Sequence, residues 1–372
     1  MGADSSFDNN EKLRSDEEPA AYQVEFLQKY NAQKRRNILS FIIVILLLIV
    51  AVFVSFMLGR YAVTPLNVCK ILLSRLISFS NVTWTATEET VVFSIRLPRI
   101  LAALAVGASL ALAGATYQGL FRNAMVSPDI LGASSGASVG ACVMMLFNFT
   151  GLAVQGAAFV TGLLAVTLSY SLSRSIGKGR NMTLLLVLCG MTVNTLCQAI
   201  VSTVKYLADT DDQLPEITYW LMGSIAKVQY NDLLLFLIPF LLGAIPLFFL
   251  RWQLNLLSVG EEEAKAMGVN VPLIRGICII CSTLLTAAVV SIAGTIGWVG
   301  LMIPHLVRFI VGPNNRKLLP MSMLVGALFM LIVDNFCRTL LAYEIPLGIL
   351  TSLIGAPFFV IILYKYNMKE DA

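Results

Sequence analysis

Apolar residues in this chain run in stretches of about twenty, parted by short polar and charged segments. A helix needs roughly 20 apolar residues to cross ~30 Å of hydrocarbon at ~1.5 Å per residue. Residues 38–59 form such a stretch with no charge inside it. Residues 100–121 form a second. Residues 130–173 are uncharged throughout and long enough for two spans, joined near Asn148 and Gly151. Residues 181–204 and 233–250 follow. Residues 276–307 also lack formal charge and break at Gly294 and Gly297, which predicts two spans, the second short. Residues 318–339 and 345–364 complete the set. The pattern predicts an all-α polytopic membrane protein with about ten transmembrane helices.

Composition agrees. Of 372 residues, 57% are hydrophobic and 13% charged, against about 25% charged in a soluble domain. Mean hydropathy is +0.80. Net charge is +4, but its placement says more. With Lys34, Arg35 and Arg36 inside and the spans alternating from there, most Lys and Arg residues fall on the cytoplasmic side. That satisfies the positive-inside rule with both termini cytoplasmic. The seven cysteines lie mostly within spans and imply no disulfide framework. Cys278 and Cys281 have redox spacing but sit in an apolar helix without acidic or histidine neighbours, which reads as packing. His305 is the only histidine, and no metal site is expected.

Three regions follow from this. Residues 1–37 form a cytoplasmic tail, disordered through about Pro19, in which Tyr22, Phe26 and Tyr30 recur every four residues ahead of the basic cluster. Residues 38–365 form the transmembrane domain, and residues 366–372 a short cytoplasmic end. No phosphate loop is present: Gly177-Lys178 is followed by Gly179, so ATP is not bound by that route. Asp334 is the one carboxylate clearly inside a span, with Arg338 one turn on. So few intramembrane charges argue against an ion-coupled secondary transporter, which needs buried carboxylates or broken-helix ion sites. Energy should come from outside this chain.

Two features carry mechanics. Small residues every fourth position let helices approach closely in lipid; Gly132, Gly136 and Gly140 form one such stripe, and Gly107, Ala111, Ala115 and Gly119 another. The cytoplasmic loop 251–275 shows Ser258 three residues before Glu261, the spacing of a capping box. It also has Glu261 and Lys265 at pairing distance, Gly268 as a stop and Pro272 before the next span. A short amphipathic helix is expected there.

A set of motifs carries a resemblance. Arg96-Leu97-Pro98-Arg99 leads into a Gly/Ala-rich span. Pro128-Asp129-Ile130-Leu131-Gly132, Trp220-Leu221-Met222-Gly223-Ser224, Gly294-Thr295-Ile296-Gly297-Trp298 and Pro346-Leu347-Gly348 follow in order. The chain resembles the FecCD family of ABC permeases over roughly residues 55–365. The resemblance implies a type II ABC importer permease fold and a second permease subunit, identical or paralogous. It implies two ATPase subunits that bind ATP and Mg, and an extracytoplasmic substrate-binding protein. It implies a coupling helix at Ser258, Gly260, Glu261, Glu262, Lys265 and Gly268, and binding-protein docking through Arg96, Arg99 and Arg338. No catalytic residue and no nucleic-acid partner are implied. The cargo it suggests is an iron chelate such as a ferric siderophore, with haem or vitamin B12 as the alternative.

Overall fold

The computed structural model describes residues 7–75, 83–177 and 182–370. The chain divides into two units, Met1–Leu46 and Leu47–Ala372. The described residues are helical, with short turns between.

The first helix, α1, runs Phe7–Met57. It includes residues the sequence pattern left as a disordered tail. Glu11, Lys12, Leu13, Arg14, Glu17 and Glu18 are good helix formers, so local propensity supports helix despite the low hydrophobicity. The expected end of the tail at residue 37 therefore falls inside a continuous helix.

After it come α2 (Pro65–Leu73), α3 (Ala86–Thr90), a π-helical turn (Val91–Arg96) and α4 (Leu97–Phe121). A 3₁₀ turn (Pro128–Leu131) precedes α5 (Ala133–Leu146), and α6 (Leu152–Gly177) and α7 (Met182–Leu207) follow. Next are α8 (Gln213–Leu221), α9 (Tyr230–Phe249), α10 (Arg251–Val259) and α11 (Glu261–Ala266). The last four are α12 (Val271–Ala293), α13 (Val299–Val311), α14 (Asn315–Thr339) and α15 (Leu347–Glu370).

Among the described residues, seven helical stretches are long and apolar enough to cross a membrane, and three shorter apolar helices, Ala133–Leu146, Val299–Val311 and Leu347–Ile362, accompany them. Both predicted double spans divide where expected. Asn148 and Gly151 take positive φ between α5 and α6, and Gly294 takes φ +68° after α12. The segment 178–180, expected in the cytoplasm, lies outside the described residues.

Helices α4 and α12 are the most enclosed, and α4 packs most heavily on α14. The reason is missing side chains. A Cβ on Gly107 would overlap Gly326 O, and one on Gly326 would overlap Gly107 O. Two turns further along α4, Gly114 meets Gly300 O in the same way. Backbone therefore touches backbone at two levels along α4, which is how helices gain dispersion contact where lipid offers no hydrophobic drive. In α5, a Cβ on Gly136 would lie 2.8 Å from Thr161 O, and one on Gly140 would overlap Thr161 Oγ1. Those two glycines pack on α6 as expected. Gly132 does not share that role. It closes the 3₁₀ turn at φ +87°, with nothing nearer than 3.5 Å to its Cβ position, so its use is conformational.

Candidate functional site

Three arrangements stand out in the unit Leu47–Ala372. The first is a buried charge cluster at the start of α4 and the end of α14. Arg99 donates through Nε to Asp334 at 2.9 and 3.1 Å, and through Nη1 to Glu344 at 2.9 and 3.0 Å. Asp334 is fully buried, whereas the Glu344 side chain is 30% exposed. Arg338 donates to Ser55 O at 2.8 Å and to Asn335 Oδ1, and its Nε lies 3.8 Å from Asp334. Arg96 donates to Phe56 O and to Tyr61 O. Gly59, at φ +152°, leaves the space that the Arg96 guanidinium fills.

The chemistry of this cluster is that of a lock. The last carbonyls of a helix have no intrahelical donor, and Ser55 and Phe56 lie in the final turn of α1. Two arginines from two other helices donate to them, at the end of the macrodipole that favours cations. The sequence pairs Asp334 with Arg338 along one helix, but in the fold its closer partner is Arg99, across the α4–α14 contact. Nor do the three arginines project outward. Arg96, Arg99 and Arg338 are 3%, 8% and 6% exposed, and the carboxylates they meet belong to their own chain. Burial is tolerable because anions and helix-end carbonyls replace the lost water. Glu344 and Ser55 carry no sequence signal of this role, since their partners are distant along the chain.

The second arrangement is a break in regular backbone. Between α12 and α13, Gly294 has φ +68° and Trp298 φ +71°. A Cβ on Gly294 would overlap Trp220 O, and one on Gly223 or Gly348 would come within 2.5 Å of Thr295 O or Met222 O. Ser224 N donates to Ala293 O at 2.7 Å, Leu347 N to Gly223 O at 2.9 Å and Gly348 N to Met222 O at 3.0 Å. Three chain segments are thus tied backbone to backbone. Beside the tie lies an open cleft of about 460 Å³, lined by Leu221, Met222, Thr295, Gly297, Ile349 and Ser352 among others. Non-helical backbone at membrane depth is tolerated where protein buries it or a watery cavity receives it. This break is tied into protein on one side and borders the cleft on the other.

The third is the loop between α9 and α12. It forms two helices, α10 and α11, and the expected capping box is absent. Ser258 lies within α10 and donates to Leu254 O at 2.8 Å, while α11 starts from Gly260 with no side-chain cap. The expected Glu261–Lys265 pair is replaced as well. Lys265 pairs with Glu262 at 2.8 Å, and Arg275 reaches back to Glu261. The nearby Glu262 carboxylate holds the Lys265 ammonium above its usual range. Arg275 sits on α12, outside any local spacing rule, and competes for Glu261 because it is nearly buried beside it. Gly268 is a stop as predicted: at φ +80° it lets its own N–H reach Lys265 O and that of Val269 reach Ala264 O. Asn255 ties α10 to α14 by accepting from Asn315 N at 2.7 Å. An acidic cleft of about 900 Å³ opens beside α11, lined by Arg122, Gly260, Glu261, Glu262, Glu263 and Arg275 among others.

Known proteins share this architecture. The chain is 44% identical over 322 residues to the molybdate import system permease protein MolB of Haemophilus influenzae, covering 86% of this chain and 94% of that one. It is 39% identical over 275 residues to the "Probable iron chelatin transport system permease protein" of Helicobacter pylori, covering 74% and 82%. A solved inward-facing structure assigned to the metal-chelate type of ABC transporter is 42% identical, with a TM-score of 0.76, over 87% of this chain and 97% of that one. A family model matches residues 47–365. This chain, a multi-pass protein of the cell membrane, belongs to the FecCD transport family and is an ABC importer permease.

Proposed function

We propose that the cargo is an iron chelate of the ferric siderophore kind. The observation that carries this reading is the cleft beside the backbone break. Its hydroxyls are already spent, Thr295 Oγ1 on Leu221 O and Ser352 Oγ on Gly348 O, and no charged side chain lines it. A bare oxyanion stripped of water needs donors in place of its lost hydrogen bonds. A chelate carries its metal already wrapped and needs only room. Haem and vitamin B12 share that property and are the alternative cargo. Molybdate is the second reading, favoured by the 44% identity to MolB.

In this reading the chain pairs with a second permease copy or paralogue across a central path. Loop α10–α11 receives an ATPase subunit that holds ATP and Mg, through Gly260, Glu262, Lys265 and the turn at Gly268. A binding protein docks over the outer end, where Arg99 is reachable through Glu344 and Arg96 and Arg338 brace the surface from beneath. Both termini are cytoplasmic. Reconstituted complex with its binding protein decides the cargo: ATP-driven uptake of a radiolabelled ferric siderophore, unaffected by excess molybdate, is expected. Uptake of labelled molybdate alone would overturn the chelate reading in favour of the second.

A further inference from the structure

The π turn at Val91–Arg96 has a cause in the sequence and a partner elsewhere in the fold. In an unbroken α-helix the ring of Pro98 would run into the carbonyl of Ser94, four residues back. The π turn relieves that clash by widening the step: Leu97 N donates to Val92 O, five residues back. The same pattern would assign Phe93 O to the N–H of residue 98. Proline has none. Phe93 O is therefore left without a donor from its own turn.

Tyr230, the first residue of α9, supplies one. Its hydroxyl donates to Phe93 O at 2.5 Å. Arg75 lies over the Phe93 ring, 4.7 Å from its centroid, and pairs with Glu89 on α3 at 3.6 Å. Arg96 ends the same turn, with Arg99 one helical turn beyond. The register of Val91–Arg96 thus decides how the preceding helix α3 meets the buried charge cluster. Removing the extra residue of a π turn would rotate everything before it by roughly 100° and shift it by ~1.5 Å.

We propose that Tyr230 is a positioning residue for the permease, whose hydroxyl completes the π turn that Pro98 imposes and so fixes the outer end of α4. The role concerns the fold common to this family and does not depend on the cargo.

The test is a double-mutant cycle read by amide hydrogen exchange on the assembled complex in nanodiscs. Tyr230→Phe should speed exchange across residues 91–97 by about 3- to 10-fold, the range of one hydrogen bond, and leave the α4 interior unchanged. Pro98→Ala restores an N–H that can serve Phe93 O, so adding Tyr230→Phe to it should change nothing further. Uptake should follow the same order, reduced in Tyr230→Phe and insensitive to that change in the Pro98→Ala background. Unchanged exchange in Tyr230→Phe would overturn the proposal. So would an equal effect of Tyr230→Phe in both backgrounds, which marks a contact unrelated to Pro98.

Discussion

Arg99 and Asp334 meet at 2.9 Å across the α4–α14 contact, with the carboxylate fully buried. Removing one partner of such a pair strands the other, at a cost of about 3–5 kcal/mol. We expect Asp334→Ala to lower the melting temperature of the purified complex more than Glu344→Ala, because Glu344 is partly solvated. The measurement is a thermal shift in detergent. Equal small shifts for both variants would mean that the cluster does not hold α4 to α14.

Reversing Arg96 and Arg99 together to Glu should first damage folding. Each reversed side chain would face a helix-end carbonyl or a carboxylate at buried positions. Monodisperse yield should fall sharply, whereas Glu344→Gln should leave yield near normal and change binding-protein affinity in a salt-dependent way. A well-folded double variant with lost docking would instead place these arginines on the contact surface.

Gly107→Val should be among the most disruptive single changes in the membrane domain, since even a Cβ overlaps Gly326 O. Gly119→Ala should be near neutral, because its nearest neighbour is the Asn315 side chain at 3.4 Å. Overpacking costs typically about 1–3 kcal/mol, and more against rigid backbone. Thermal stability of the two variants, compared side by side, checks the ordering.

In the α10–α11 loop, the Glu262 side chain is 84% exposed and pairs with Lys265. Glu262→Arg should leave the subunit inserted and stable while lowering uptake per ATP hydrolysed. Gly268→Pro should do the same more strongly, by removing both the positive φ and an N–H bonded to Lys265 O. Uptake and ATPase rates measured on the same vesicles test this. Normal coupling in both variants would exclude α11 as the ATPase contact.

Orientation has a direct test. A cysteine at Asp211 should react with a membrane-impermeant maleimide from outside intact cells. One at Glu263 should react only after permeabilisation. The reverse pattern would invert the whole topology.

Hydrophobic run length by itself determined the count and order of the spans, because crossing a bilayer is a requirement on a single segment. Local turn chemistry was equally legible: Gly294 ends α12 and Gly268 ends α11, each at a positive φ that favours glycine. Gly136 and Gly140 read correctly as a packing face because a helix repeats every four residues. Tertiary structure alone decided partnership. Asp334 has Arg338 one turn away along its own helix, yet its closest donor is Arg99. Ser258 and Glu261 have capping-box spacing, yet Ser258 falls inside α10 and Glu261 is claimed by Arg275 from α12. The arginines at span ends take their partners from the end of α1 and from Glu344. In each case local spacing fixes which residues share a face, whereas the pairing goes to whichever charge or carbonyl the fold brings nearest. That proximity depends on backbone contacts such as Gly107 with Gly326, which no single segment specifies.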